Sequence, residues 1–224
     1  MDEALFLFFN RFNTDELDQV FLVLSSEYLK SVPFMLIVWA LWFLSGTDAQ
    51  RTMRRERLTA VLLATIPIIG ITRFLANNLP FSLRPIYSNI AGLQLRDDQS
   101  VEFMDGWSSL PSDHASLFFG LAVMIFLINR RFGVFLLFWA AFVVCLPRVV
   151  TGLHWPSDIV VGALLGAALG VTLLGPMTQI VRQVQLVPFC ERHEAFAYPL
   201  LFLATYEVTQ MFQMTRYIVF ALGG

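Results

Sequence analysis

Apolar residues run through this chain in long blocks separated by short polar stretches. Six of these blocks approach the ~20 mostly apolar residues that a membrane-spanning helix needs. They cover roughly residues 29–46, 57–76, 113–129, 132–150, 157–175 and 195–214. Several have a short, clean apolar centre with polar groups at one end. Two shorter pieces come first. Leu5, Phe6, Leu7, Phe8, Phe9 and Phe12 form a segment too short to span, which predicts an interfacial helix. Gln19 to Ser26 predicts another short piece lying along the surface. The alternating segments of a membrane β-barrel are absent. No internal repeat, low-complexity tract or Gly/Ser-rich linker divides the chain. The pattern therefore predicts one domain over residues 1–224. Its class is all-α: a polytopic membrane helical bundle of about six transmembrane helices with an N-terminal interfacial helix.

Composition agrees. Hydrophobic residues make up 57% of the 224 positions, charged residues only 14%, and the mean hydropathy is +0.65, whereas soluble domains carry about 25% charged residues. The net charge of -2 and the lack of a basic cluster offer nothing to nucleic acid. Cys145 and Cys190 fall in or beside apolar blocks and read as small buried hydrophobes. The start Met1-Asp2-Glu3 lacks the positive charge that opens a signal peptide. Basic residues set the expected orientation. Arg51, Arg54, Arg55 and Arg57 follow the first span, Arg130 and Arg131 the third, and Arg182 and Arg192 the fifth. These loops are expected in the cytoplasm. The loop 77–112 and the turn 147–156 then face the other side.

Three polar stretches share that other side. They are Arg84-Pro85, Ser108-Ser109-Leu110-Pro111-Ser112-Asp113-His114, and Arg148 through His154 to Asp158. His154 and Asp158 are four apart, and Pro156 favours the first turn of a helix, so the carboxylate can reach back to the imidazole. A carboxylate on one ring nitrogen fixes the tautomer and leaves the other free to attack or bind. Equally, Asp158 could only favour the helix dipole. Arg84 and Arg148 offer planar forks for phosphate oxygens, or could snorkel to the interface. Ser112, Asp113 and His114 precede the third span, whose N-terminus suits an anion. There His114 could donate a proton, while Ser112 or Asp113 caps the helix. Taken together, this is an inventory for phosphoryl transfer through a histidine. Metal binding is the rival for the His/Asp cluster, but only two histidines are present there and the adjacent arginines repel a cation. No metal and no cofactor is expected.

The set Arg84-Pro85, Pro111-Ser112-Asp113-His114 and Arg148-x5-His154-x3-Asp158 resembles the type 2 phosphatidic acid phosphatase family, over about residues 58 to 175. The resemblance implies that His154 is the nucleophile, forming a phosphohistidine. It implies that His114 protonates the leaving group, that Asp158 orients the nucleophile, and that Arg84 and Arg148 hold the phosphate. Three positions depart from the family. Asn77 stands where its first motif has lysine, Asp113 where the second usually has glycine, and Pro147 where the third usually has serine. The Pro-Ser-Asp-His form is similar to that of the subgroup acting on undecaprenyl pyrophosphate.

The sequence thus predicts a metal-independent membrane lipid phosphatase. Its substrate would be a lipid phosphate or diphosphate, undecaprenyl pyrophosphate or a phosphatidic acid-type lipid, met at the non-cytoplasmic face of the cell membrane. A phosphotransferase using a hydroxyl acceptor and a non-enzymatic transporter or structural protein are the alternatives. Arg84, Arg148, Ser112, Asp113, Asn77 and Arg73 are the candidate phosphate-binding residues. Arg73, one turn before Asn77, either supplies the missing positive charge, or takes no part and pairs with a carboxylate such as Asp113 or snorkels. Glu207, an acid within the sixth block, could steer an arginine of the site or sit near the surface without a role.

Overall fold

The structure, a computed structural model, describes residues 2–14, 16–95 and 106–211. Every regular element among the described residues is helical. In chain order these are α1 (Asp2–Asn10), α2 (Asp18–Ser25), α3 (Glu27–Phe43), α4 (Asp48–Asn78), α5 (Asp113–Ile128), α6 (Arg130–Trp139), α7 (Leu146–Val150), α8 (Pro156–Gln183), α9 (Leu186–Arg192) and α10 (Glu194–Thr209). A 3-10 turn covers Pro85–Tyr87.

Local chemistry sets the helix ends. A capping box joins Thr47 and Gln50 at the start of α4. Ser112 accepts from Ala115 N to open α5, and Asn129 accepts from Phe132 N to open α6. Pro156 supplies a pre-set first residue for α8. Between α6 and α7 the backbone widens into a π-helical turn, Ala140–Cys145, in which Leu146 N donates to Ala141 O. Pro147 follows directly. It has no N–H, and its ring crowds the carbonyl four residues back, which the wide turn accommodates.

α5 lies at the centre, against α8, α4 and α6. Its Ala115, Leu117, Phe118, Leu121, Ala122, Met124 and Ile125 are all buried, as expected of a helix that is apolar all round. The outer surface is apolar too: Leu36, Ile66, Phe74, Phe138 and Leu164 are each exposed by 60% or more. In water such a surface would aggregate, whereas in a bilayer it faces lipid tails.

Among the described residues, three helices are long and apolar enough to cross a membrane: α4, the α6–α7 unit from Arg130 to Val150, and α8. Leu29–Phe43 and Asp113–Ile128 are shorter apolar helices. The expected spans 57–76 and 157–175 are longer as helices, 31 and 28 residues. The extra turns of α4, 48–56, are polar and lie at the basic end, where apolar content gives no signal, and those of α8, 176–183, mix polar and apolar residues. The expected sixth block has its helix over Glu194–Thr209, and positions 212–214 lie outside the described residues.

α5 and α8 meet along a seam of small residues. A Cβ on Gly166 would lie 2.0 Å from Ser116 O, one on Gly162 2.7 Å from Ser112 O, and one on Gly170 2.7 Å from Gly120 O. The two backbones touch because those side chains are missing, the geometry of glycines spaced by four in membrane helices. Gly166→Leu should therefore lower stability by about 3 kcal/mol or more, since backbone cannot yield as a side chain can. Gly70, with nothing within 4 Å of a built Cβ, should accept alanine at no cost. Thermal unfolding of the detergent-solubilised protein checks this, and equal midpoints for the two variants would show that the seam is not tight.

Candidate active site

The three motif stretches converge at one end of the bundle, opposite the arginine-rich loops. Backbone bonds tie them together. Ser109 N donates to Ser82 O at 2.9 Å, Ile86 N to Gly152 O at 2.9 Å, and Ser112 N to Asp158 O at 3.2 Å. The Arg148 carbonyl accepts from both Leu153 N and His154 N, which closes the turn that carries His154. Gly152 sits in that turn at φ +76, a conformation that favours glycine.

His154 is buried, with 4% of its surface exposed. Its Nδ1 lies 3.0 Å from the Ser109 carbonyl and 3.5 Å from Asp158 Oδ2. A carbonyl can only accept, so Nδ1 carries the proton and Nε2 holds the lone pair. Nε2 faces Arg84 Nη1 at 3.3 Å, and that guanidinium also donates to Leu153 O at 2.7 Å. Asp158 reaches Nδ1 from four residues on, beside a nearer acceptor. Its shortest bond, 2.8 Å, is from Trp155 N, and the nearer partner of the imidazole is the Ser109 carbonyl. A backbone carbonyl carries no residue-type signal, so the sequence could not reveal it.

Ser112 is fully buried and caps α5. Asp113 pairs through Oδ2 with Arg73, whose guanidinium also lies over the Trp107 ring, 4.4 Å from its centroid. Of the two expected roles for Arg73, the structure has the carboxylate pair. The Asp113 carboxylate thus faces a cation at the edge of the site. Asp113 Oδ1 and Arg84 Nε are buried without a hydrogen-bond partner. Asn77 is exposed and, with Arg73, Phe81, Trp107 and Ser108, lines a cavity of about 520 Å³. His114 is half-buried one residue into α5, its ring stacked near Phe118. Arg148 is half-buried at the end of α7. Among the described residues, no three His, Cys, Asp or Glu side chains group as metal ligands.

The sequence also did not disclose how α1 fits. Asp2 accepts from Ser157 N and Ser157 Oγ, Phe6 meets Trp155 edge-on at 5.4 Å, and Asn10 Nδ2 donates to Val150 O at 2.9 Å. The expected interfacial helix is thus clamped over the His154 turn, while Leu5 and Phe8 on its other side are exposed. Glu207 is buried, not at the surface. It lies one turn from Gln210, which donates to Ser31 on α3, and α10 packs on α3, α4 and α9.

Burial pushes the His154 imidazole down to about 4, with Arg84 and Arg148 adding to the shift and Asp158 opposing it. The unfolded chain, with its imidazole near ~6.5, takes the proton first. Stability should therefore be lost as pH falls from about 6.5 towards 4, and be unaffected above that window. At ~1.4 kcal/mol per unit the loss is about 3 kcal/mol. His154→Gln should abolish this component of the pH dependence of unfolding. Parallel curves for the two proteins would mean a solvated imidazole.

The sequence model of the PAP2 superfamily matches residues 81–180, the stretch that holds Arg84, both histidines and Asp158. The bacitracin transport permease protein BcrC of Bacillus licheniformis is 29% identical over 163 residues, 71% of this chain and 72% of that protein. YbjG of Escherichia coli (strain K12), described as a candidate undecaprenyl-diphosphatase, is 26% identical over 64% of this chain and 65% of its own length. A lipid A 4'-phosphatase of Bacteroides thetaiotaomicron is 38% identical over 63 residues, 27% of this chain and 28% of that protein.

Proposed function

We propose that this chain, whose residues 81–180 match the sequence model of the PAP2 superfamily, hydrolyses a lipid phosphate or diphosphate through a phosphohistidine on His154. The observation that carries the reading is the pinned imidazole, with Nδ1–H held by Ser109 O and the Nε2 lone pair turned to Arg84. A phosphate entering here would take Arg84 away from Nε2 and satisfy its buried Nε. Nε2 would then attack phosphorus in line. Positioning and charge neutralisation carry most of the catalysis in phosphoryl transfer, and Arg84 and Arg148 are the groups that would supply them. His114 would protonate the departing oxygen, and water would then release phosphate from His154. The reaction needs no metal.

The lipid would rise between helices with its headgroup near the cavity beside Arg73. Substrates on long-chain lipids are favoured by two relatives, the candidate undecaprenyl-diphosphatase and the lipid A 4'-phosphatase. In the full arrangement α3, α4, α5, the α6–α7 unit, α8 and α10 cross the bilayer. The basic end lies in the cytoplasm and the histidines at the other face. The name of the Bacillus licheniformis relative, a transport permease, favours a second reading, in which the polar residues line a transport pathway. Transport needs no nucleophile, so one assay separates the two. Purified protein in EDTA should release phosphate from a lipid diphosphate. His154→Ala should abolish the activity, and His114→Ala should slow it by about 10²–10⁴. A substrate with a good leaving group should recover part of the His114 loss. A substantial rate in His154→Ala would reject the assignment.

A further inference from the structure

A second cavity, about 390 Å³, opens at the opposite end of the bundle. Its walls come from α4, α5 and α8, and include Arg57, Leu127, Val171, Gly175, Thr178 and Arg182. Helix geometry puts it far from the histidines. Arg57 is sixteen residues before Arg73 on α4, about 24 Å, and Leu127 is fourteen residues past Asp113 on α5, about 21 Å. It is a separate site.

The charges around it are unevenly satisfied. Arg182 makes a forked pair with the buried Glu56, with bonds of 2.7, 3.1 and 3.3 Å. Arg51 pairs with Asp48, Arg55 with Glu191 at 2.6 Å, and Arg54 donates to the Leu41 and Leu44 carbonyls. Arg57 has one long contact, 3.5 Å to the Leu127 carbonyl. Its charge is therefore not neutralised by the pairs around it, and the two guanidiniums at the cavity face one carboxylate. A Cβ on Gly175 would meet nothing within 4 Å, so there is open room beside them. Leu127 and Val171 are 42% and 58% exposed, giving apolar walls on which acyl chains can lie. A basic pocket between membrane helices with an apolar flank suits a phosphate-bearing headgroup.

We propose that this cavity binds the phosphodiester headgroup of an anionic phospholipid, with Arg57 as its main cation and Arg182, fixed by Glu56, as the second. The ligand class is a phosphate anion, and the apolar flank assigns it to a lipid. The test is binding of short-chain phosphatidylglycerol, phosphatidylcholine and inorganic phosphate to the full-length detergent-solubilised protein. Arg57→Gln and Gly175→Leu are compared with wild type. Arg182 is left intact, because its loss would strand Glu56. Gly175→Leu fills the room and changes no charge. Phosphatidylglycerol should bind wild type at least fivefold more tightly than either variant, and phosphatidylcholine should bind all three weakly. Equal phosphatidylglycerol binding by wild type and both variants would overturn the proposal, as would equal binding of the two lipids to wild type. Inorganic phosphate binding as tightly as phosphatidylglycerol, and lost in Arg57→Gln, would assign the site to free phosphate and overturn the lipid.

Discussion

The close approach of α5 to α8 is the constraint on which the site depends. Gly162, Gly166 and Gly170 bring the α8 backbone against Ser112, Ser116 and Gly120. Only at that separation can Ser112 N reach Asp158 O, which joins the helix carrying His114 to the turn carrying His154. The Ser82–Ser109 bonds then bring the Ser109 carbonyl to Nδ1. A wider seam would separate the imidazole from the partner that sets its tautomer. Association of helices in lipid rests on such packing, because lipid tails are as apolar as leucine.

Charge is the second constraint. Three arginines, Arg73, Arg84 and Arg148, surround the histidines together with two carboxylates, Asp113 and Asp158. Burial works against the charge of Arg84, and Asp113 and Asp158 offset part of that effect. The same burial and the same arginines keep His154 neutral. The three guanidiniums offer an anion its partners beside an imidazole that stays unprotonated. Asp113, through its pair with Arg73, holds one of these cations at the edge of the adjoining cavity.

Much of this was legible in the sequence, because each motif combines residue types whose joint occurrence in an apolar chain demands a chemical reason. Arg84, His114, His154 and Asp158 were all placed on one face, and the structure brings the three motifs together. The Arg73–Asp113 pair was one of two readings, since i and i+4 geometry could not say which partner the guanidinium reaches. Three features escaped. The glycine seam hid inside an apolar block, where Gly-x3-Gly-x3-Gly is the signal that could have found it. The Ser109 carbonyl is backbone and has no letter. The docking of α1 joins residues such as Asp2 and Ser157, 155 positions apart, through contacts that local pattern cannot foresee. Helix ends were misjudged for a simpler reason: Thr47 and Gln50 start α4 in polar sequence, where hydropathy reports nothing.

The proposed phosphoryl transfer turns on one atom, Nε2 of His154. Rapid quenching of the enzyme with a lipid phosphate labelled at phosphorus, followed by peptide mapping, tests it directly. The expected result is an acid-labile, base-stable phosphate on the peptide containing His154, absent in His154→Ala. Label on the peptide containing His114, or turnover with no covalent phosphate under conditions that trap phosphohistidine, would contradict it.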